Sequence, residues 1–312
     1  MRIATTTGDF LWYADPADIS GALTMLADSG FKYADLNLSG AFFPESPLCG
    51  DNWEKWADDI GETAARLGMT LVQAHSSDTV YDKGELRDYR TSIIEREIEI
   101  CRKLGIPGMV VHGICKANGE REDFMEKNTE LYKELLVTAE KGNVTIYTEN
   151  TCRQNNPAYY IFEGSDVNEL CERVNHPLFG ACWDIGHAHC HGVDQYKEIT
   201  TMNKNLKALH VHDNYAVADV HIQPYGGNCC YDAILKALVD IDFKGCFTLE
   251  AFCAPVASNF CFCNRKPFVK EGVVYDKVLM PPIDIKIRAE RLMLDTTRFM
   301  LEIGRASCRE RV

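Results

Sequence analysis

The chain has 312 residues, close to the length of a single α/β barrel of about 250 residues with insertions. Its hydrophobic content of 46% is enough for a sizeable core, and no apolar run approaches the roughly 20 residues of a membrane span. The formal net charge of −13 argues against nucleic acid as a partner, because affinity for a phosphate backbone comes mainly from lysine and arginine.

Fourteen cysteines are scattered along the chain, several of them inside apolar runs. No signal peptide is apparent at the start of the sequence. This pattern is typical of reduced thiols and not of a disulfide framework, so we expect a cytoplasmic protein.

Short apolar segments with strand propensity alternate with helical patterns along the whole chain. Eight strands are predicted, at residues 2–7, 33–38, 69–74, 108–111, 144–148, 179–183, 206–211 and 245–249. Eight helices are predicted between and after them, at residues 16–28, 51–67, 88–104, 121–140, 166–174, 195–205, 231–239 and 284–301. Asp15 and Ser165 are the predicted N-caps of the first and fifth helices.

Six of the predicted strands carry, at or directly after their end, a side chain that can bind a metal. These residues are His75, His112, Glu149, Asp184, His210 and Glu250. The strand ends of a closed parallel barrel converge on one pocket, whereas an open doubly wound sheet would spread them along an edge. We therefore predict a (β/α)8 TIM barrel that forms a single domain over residues 1–302, with a long loop at residues 251–282 after the eighth strand.

The segment after the seventh strand, LKALHVHDNYAVADVHIQP at residues 206–224, is the richest in such side chains. It contains His210, His212, Asp213, Asp219 and His221. Burying these groups without partners would cost several kcal/mol, so the pattern favours a binding site. Taken by itself, the segment is also compatible with a solvated polar loop.

Glu149, Asp184, His210 and Glu250 form an oxygen-rich set with one imidazole. Such a set suits one divalent ion of manganese, cobalt, magnesium or zinc better than a metal that prefers thiolates. For any one of the four residues, a salt-bridged strand end is the alternative interpretation. Their equivalent positions on four strands favour the metal.

Four segments resemble those of the sugar-phosphate isomerase/epimerase family of xylose-isomerase-like barrels. They are TEN at 148–150, WDIGHAH at 183–189, HVHDN at 210–214 and TLEAF at 248–252, and the resemblance spans residues 2–301. It implies a sugar as small-molecule substrate, one metal held by Glu149, Asp184, His210 and Glu250, and substrate contact by His187. We also predict substrate contacts from His75, His112 and the apolar face of Trp183.

The reaction that the resemblance implies is a metal-dependent isomerisation or epimerisation of a sugar, sugar phosphate or cyclitol. The metal would stabilise an enediolate formed when a proton leaves the carbon next to a carbonyl. Glu149 and Glu250 would act as base and acid. Return of the proton to the opposite face would give an epimer, and return to the neighbouring carbon would give an isomer.

Two alternative functions use the same residues. A metal-dependent lyase or dehydratase would expel a leaving group from a keto-sugar or cyclitol. A phosphodiesterase similar to three-zinc apurinic-site endonucleases would use additional metal ligands, namely His75, His112, His187, Asp219 and His221. The acidic charge and the scarcity of lysine and arginine after the first two strands count against the endonuclease.

Two further predictions concern the C-terminal part of the chain. Residues 303–312, IGRASCRERV, resemble the translation of a sequencing adapter, so we expect a non-native tail and a missing native C-terminus. The length of the 251–282 loop suggests a lid or a subunit contact, and the protein is therefore a candidate homo-oligomer.

Overall fold

A computed structural model describes residues 1–11, 13–152, 157–251, 268–275 and 281–309 of the chain. Its main sheet has eight strands, and neighbouring strands pair in parallel. They are β1 (Arg2–Thr6), β2 (Tyr33–Asn37), β3 (Thr70–His75), β4 (Gly108–Val110), β5 (Thr145–Glu149), β6 (Phe179–Asp184), β7 (Leu206–His210) and β8 (Cys246–Leu249). All eight lie where the sequence predicts them, with ends shifted by at most one residue.

The sheet closes into a barrel. Its strand order is β7-β6-β5-β4-β3-β2-β1-β8, and the two outer strands meet just beyond their ends. The Val211 N–H donates to the Thr248 carbonyl at 2.8 Å, and the Glu250 N–H donates to the Val211 carbonyl at 3.0 Å. The predicted (β/α)8 TIM barrel is confirmed.

Helices surround the barrel and connect its strands. They are α1 (Ile19–Ser29), α2 (Trp53–Leu67), α3 (Glu85–Leu104), α4 (Arg121–Gly142), α5 (Gly164–Val174), α6 (Ile185–His191), α7 (Gln195–Met202), α8 (Tyr231–Asp240) and α9 (Ile283–Arg309). The sequence does not predict α6, which begins directly after β6.

Two predicted helix caps are wrong. The N-cap of α1 is Asp18, whose carboxylate accepts the Gly21 N–H at 2.8 Å, because Asp15 belongs to a turn that precedes the helix. The N-cap of α5 is Glu163, which forms a capping box with Asp166.

Alternate residues of each strand face the barrel interior and the helices. Val110, Tyr147, Cys182 and Ala208 pack together from four neighbouring strands inside the barrel. By the same alternation Trp183 faces outward, where it is fully buried and its indole N–H donates to the Gln195 side chain at 2.9 Å. The predicted substrate contact of Trp183 is therefore wrong.

The described part of the C-terminal region contains a two-stranded antiparallel hairpin, β9 (Phe268–Lys270) and β10 (Val273–Tyr275). Residues 252–267 and 276–280 of the predicted long loop, and 310–312 of the predicted tail, lie outside the described residues. The domain end at 302, the origin of the tail and the homo-oligomer stay predictions. Among the described residues, no helix is both long and apolar enough to cross a bilayer.

A buried carboxyl on α3 gives the fold a predicted pH dependence. Both oxygens of Glu97 accept the Ser77 N–H at 3.1 Å. Burial raises the pKa of Glu97 to about 8, although the hydrogen bond to Ser77 lowers it. An unfolded glutamate has a pKa of about 4.3, so between these values only the folded chain holds the proton. The free energy of unfolding should fall as the pH rises through this window, by about 1.4 kcal/mol per pH unit.

Glu97→Gln should remove this contribution, because the amide oxygen still accepts the Ser77 N–H and does not titrate. Urea unfolding with chelator present, at pH 5 and pH 7.5, should show a shallower loss of stability for the variant than for the wild type. Glu99→Gln on the same helix is the control. Parallel pH profiles of wild type and Glu97→Gln would show that Glu97 is already ionised in the folded chain.

Candidate metal centre and active site

The carboxylate of Glu149, at the end of β5, is the centre of the site. It is 1% exposed, and one of its oxygens lies 2.9 Å from His210 Nδ1. The other oxygen lies 3.0 Å from His112 Nε2 and 3.7 Å from His75 Nε2. Burial raises the pKa of Glu149, but the charge of His210 and the imidazole hydrogen bonds lower it well below its usual range. Glu149 is therefore a carboxylate at neutral pH.

One side-chain oxygen of Asp184 caps the start of α6, and the other oxygen does not take part in the cap. Its Oδ1 accepts the His187 N–H at 2.6 Å as the N-cap of α6. Its backbone is paired with Asn150, whose side chain accepts the Asp184 N–H at 2.7 Å and donates to the Asp184 carbonyl at 2.9 Å. Asp184 Oδ2 is buried and has no hydrogen-bond partner among the residues that the structure describes. A buried carboxylate oxygen without a partner is costly, unless a cation occupies the space beside it.

His210, at the end of β7, links the two glutamates of the site. Its Nδ1 lies 2.9 Å from Glu149 and 3.5 Å from Glu250. On the other side of the ring, Nε2 lies 2.9 Å from the Gln73 amide nitrogen and 3.7 Å from Asp35. These contacts orient the His210 ring so that Nδ1 faces Glu149 and Glu250. Residues that are not themselves metal ligands commonly orient a metal-binding imidazole in this way.

Glu149, Asp184, His210 and Glu250 form one of the groups that can hold a metal ion. One ligand atom from each lies within 4.8 Å of the others. Three carboxylates and one imidazole, with an unpartnered Asp184 oxygen among them, match the donors that divalent manganese, cobalt, magnesium or zinc prefers. The residues that the sequence selects for a metal are thus brought together, and their chemistry fits the ion.

A second group lies beside the first and is richer in imidazole. It consists of His187, His212, Asp219 and His221, whose ligand atoms also lie within 4.8 Å of one another. The Nδ1–H of His187 donates to the Asn150 carbonyl, and that of His221 donates to the Glu250 carbonyl, both at 2.9 Å. Each ring therefore directs Nε2 toward Asp219, at 3.2 and 3.3 Å.

His212 completes this second group from the interior of the barrel. It is fully buried and stacks on His221 with ring centroids 3.7 Å apart. Its Nε2 lies 3.0 Å from Asp184 Oδ1, yet neither ring nitrogen forms a well-aligned hydrogen bond with any of the described residues. The ring fits only because residue 186 is glycine, since a Cβ at Gly186 would lie 1.9 Å from the imidazole.

His112 and His75 lie on the β3 and β4 side of the site. His112 contacts Asp78 at 3.2 Å through Nδ1, and the His75 Nδ1–H donates to the Ser76 carbonyl at 3.0 Å. Burial lowers the pKa of His112, but hydrogen bonds to Asp78 and Glu149 outweigh burial and raise it to about 10. Both rings, together with His187, line the same cavity as Glu149 and Glu250.

Several residues that shape the site are not assigned a role by the sequence. Asn150 pairs with Asp184 and His187, while Asp35 and Gln73 hold the far side of His210. The only sequence signal is position, because Asn150 directly follows Glu149 and the other two lie on strands of the barrel.

The fold and the site define a (β/α)8 barrel whose strand ends carry a dense cluster of carboxylates and imidazoles. The chain matches the family model described as xylose isomerase-like TIM barrel over residues 23–273, which is most of its length. The protein belongs to this family.

Solved structures of two sugar epimerases have the same fold. D-Psicose 3-epimerase from Clostridium cellulolyticum H10 superposes with a TM-score of 0.71 at 18% identity, covering 96% of this chain and 99% of that chain. L-Ribulose 3-epimerase superposes with a TM-score of 0.72 at 16% identity, covering 99% of this chain and 97% of that chain. At such identities the likeness shows the fold alone.

A protein named "Probable endonuclease 4" from Cenarchaeum symbiosum (strain A) is similar over a shorter region. It is 30% identical over 132 residues, which are 38% of this chain and 45% of that protein.

Proposed function

We propose that the protein is a divalent-metal-dependent sugar isomerase or epimerase. The observation that carries this proposal is the group of Glu149, Asp184, His210 and Glu250, in which a buried Asp184 oxygen has no hydrogen-bond partner in the described part of the chain. In this proposal these four residues hold the ion, which when bound acts as a Lewis acid toward a sugar carbonyl. The substrate is a keto-sugar or a cyclitol ketone.

Glu149 and Glu250 are the proposed proton-transfer groups. Glu149 is ionised, and Glu250 contacts the same nitrogen of His210, Nδ1, at 3.5 Å, so the two side chains lie next to each other at the metal site. In this proposal a bound sugar contacts both of them. One residue would take the proton next to the carbonyl, and the other would return it. His187, His112 and His75 line the cavity and are the proposed contacts for substrate hydroxyl groups.

The likeness to solved ketose 3-epimerases supports a sugar as the substrate, and it leaves the choice between epimer and isomer to product analysis. The same base would serve a lyase or dehydratase, whose product would have lost a leaving group. We also propose a cytoplasmic location, which the scatter of the fourteen cysteines along the chain, several of them in apolar runs, supports.

An endonuclease-like phosphodiesterase is the second candidate. The group of His187, His212, Asp219 and His221 favours it, because it offers a second metal site within the same cavity. The partial similarity to a probable endonuclease 4 points the same way. The net charge of −13 opposes binding to DNA, so the sugar enzyme is the better supported function.

The experiment that tests the proposal is proton exchange from deuterated water into a panel of keto-sugars, followed by NMR. Exchange should stop when the protein is treated with chelator and should return when manganese or cobalt is added. Activity that survives complete metal removal would contradict the proposal.

A variant of the second group separates the two candidates. If one metal at Glu149, Asp184, His210 and Glu250 suffices, Asp219→Asn should retain exchange within about tenfold of wild type, since it loses a contact around the site and no proposed ligand. Metal analysis of the same variant provides the control. Loss of all bound metal in Asp219→Asn would favour a multi-metal phosphodiesterase.

A further inference from the structure

A buried network of charged side chains joins one wall of the cavity to the start of α9, outside the candidate metal groups. Asp9 lies in a short 3-10 helix, Thr7–Phe10, that directly follows β1. Lys286 and Glu290 lie four residues apart near the start of α9. The three side chains are between 0% and 2% exposed. Charged groups buried this deeply are costly unless they are paired and hydrogen-bonded.

Hydrogen bonds enter this network from both ends and leave two oxygens in the middle without a donor. The Thr5 hydroxyl donates to Asp9 Oδ2, and the Lys286 ammonium donates to Glu290 Oε1, each at 2.5 Å. The two carboxyl groups contact each other, yet Asp9 Oδ1 and Glu290 Oε2 are buried and accept no hydrogen bond from a described residue. One proton satisfies both oxygens, because a carboxylic acid donates through its O–H to a carboxylate.

The surrounding charges place this proton on Asp9. Burial and the negative charge of Glu290 raise the pKa of Asp9 well above its usual range, although Lys286 and the Thr5 hydroxyl lower it. Burial also raises the pKa of Glu290, but the charge of Lys286 and the hydrogen bonds from Lys286 and Asp9 oppose the rise. Burial raises the pKa of the nearby Tyr13, and the charge of Lys286 opposes that rise as well. With one proton the network has no net charge, whereas without it two carboxylates face one ammonium.

We propose that a single proton shared between Asp9 and Glu290 fastens the start of α9 to the cavity wall, and that this junction loosens as the pH rises. The acid form of Asp9 donates to the carboxylate of Glu290, which also accepts from Lys286. Gly8 and Leu11 flank this junction and line the cavity, so loosening it frees one wall of the cavity. The inference concerns the fold around the cavity and does not depend on the proposed reaction.

Hydrogen exchange followed by mass spectrometry, without substrate, tests the junction. An exposed aspartate has a pKa of about 3.9, so between this value and the raised pKa of Asp9 only the closed junction holds the proton. Each rise of one pH unit in this window should make opening about tenfold more favourable. Protection of residues 5–11 and 283–291, corrected for the intrinsic exchange rate, should therefore fall by about that factor per unit from pH 5 to pH 7. Protection that does not change with pH would overturn the inference.

Two variants should each remove this pH dependence. The amide of Asp9→Asn accepts from Thr5 and donates to Glu290 without titrating. The amide of Glu290→Gln donates to an ionised Asp9, so the closed junction no longer needs a bound proton. Either variant suffices if the other does not fold. Asp295→Asn is the matched control on α9, because its carboxylate is 53% exposed and it should follow the wild type. A wild-type pH dependence in the folded Asp9→Asn or Glu290→Gln protein would contradict the inference.

Infrared spectroscopy detects the proton without any opening of the junction, because the C=O band of a protonated carboxyl is separate from the bands of a carboxylate. At pH 7 the difference spectrum between wild type and Asp9→Asn should show the loss of one protonated carboxyl. The difference spectrum for Asp295→Asn should show the loss of a carboxylate. A lost carboxylate in Asp9→Asn would show that Asp9 is ionised, and it would overturn the inference.

Discussion

Glu149→Gln should lower the rate of proton exchange into a keto-sugar by about 10³-fold or more, which is within the range attributed to a positioned general base. The amide keeps the shape of the side chain but cannot accept a proton at neutral pH. Glu250→Gln should have an effect of similar size, because Glu250 is the second proposed proton-transfer group. Deuterium incorporation followed by NMR measures both effects.

The matched control is Glu198→Gln, which makes the same chemical change at a buried carboxylate of α7 that does not line the cavity. Circular dichroism and metal analysis are needed for all three variants, since Glu149 and Glu250 are also proposed metal ligands. Exchange at the wild-type rate in either Glu149→Gln or Glu250→Gln would remove that residue from the catalytic role.

Asp184→Asn should weaken metal binding by about 100-fold and reduce exchange in proportion at limiting metal. Removing a metal ligand lowers the metal affinity more than removing a residue that supports a ligand, for which losses of about 10–100-fold are typical. Asparagine is as good an N-cap as aspartate, so the start of α6 should survive the change. The affinity is measured by titrating manganese into the chelator-treated protein.

Asp18→Asn tests whether the effect comes from the cap or from the metal. Asp18 caps α1 through its side chain in the same way, and it lies outside the metal-binding groups. The Asp18→Asn variant should therefore bind manganese with the affinity of the wild type. Asp184→Asn with wild-type affinity would show that the unpartnered Asp184 oxygen is not a ligand.

The sequence predicts the barrel and the central residues well because both follow a local rule. Each strand is a short apolar segment, and Glu149, Asp184, His210 and Glu250 are recognisable as polar residues directly after such segments. Convergence at the strand ends then follows from closure of the barrel, which the Val211 contacts with β8 confirm. Which of these residues bind metal or transfer protons stays a prediction.

Other features depend on contacts between residues that are far apart in the chain, and the spacing of residues in the sequence does not predict such contacts. Asp35 and Gln73 lie on β2 and β3, and they become part of the site only because the barrel brings β7 opposite them. Trp183 is next to a site residue in sequence, but strand alternation turns it toward the helices. The sequence does not predict the helix α6, because its seven residues include three histidines and show no clear apolar periodicity.

The metal content of the purified protein, determined by elemental mass spectrometry without added metal, is the measurement to make first. We expect about one equivalent of a divalent ion per chain, lost in Asp184→Asn and kept in Asp18→Asn. Protein that contains no metal and binds none when manganese or cobalt is supplied would rule out the proposed metal-dependent function. Three equivalents of zinc would also contradict it, and they would support the phosphodiesterase instead.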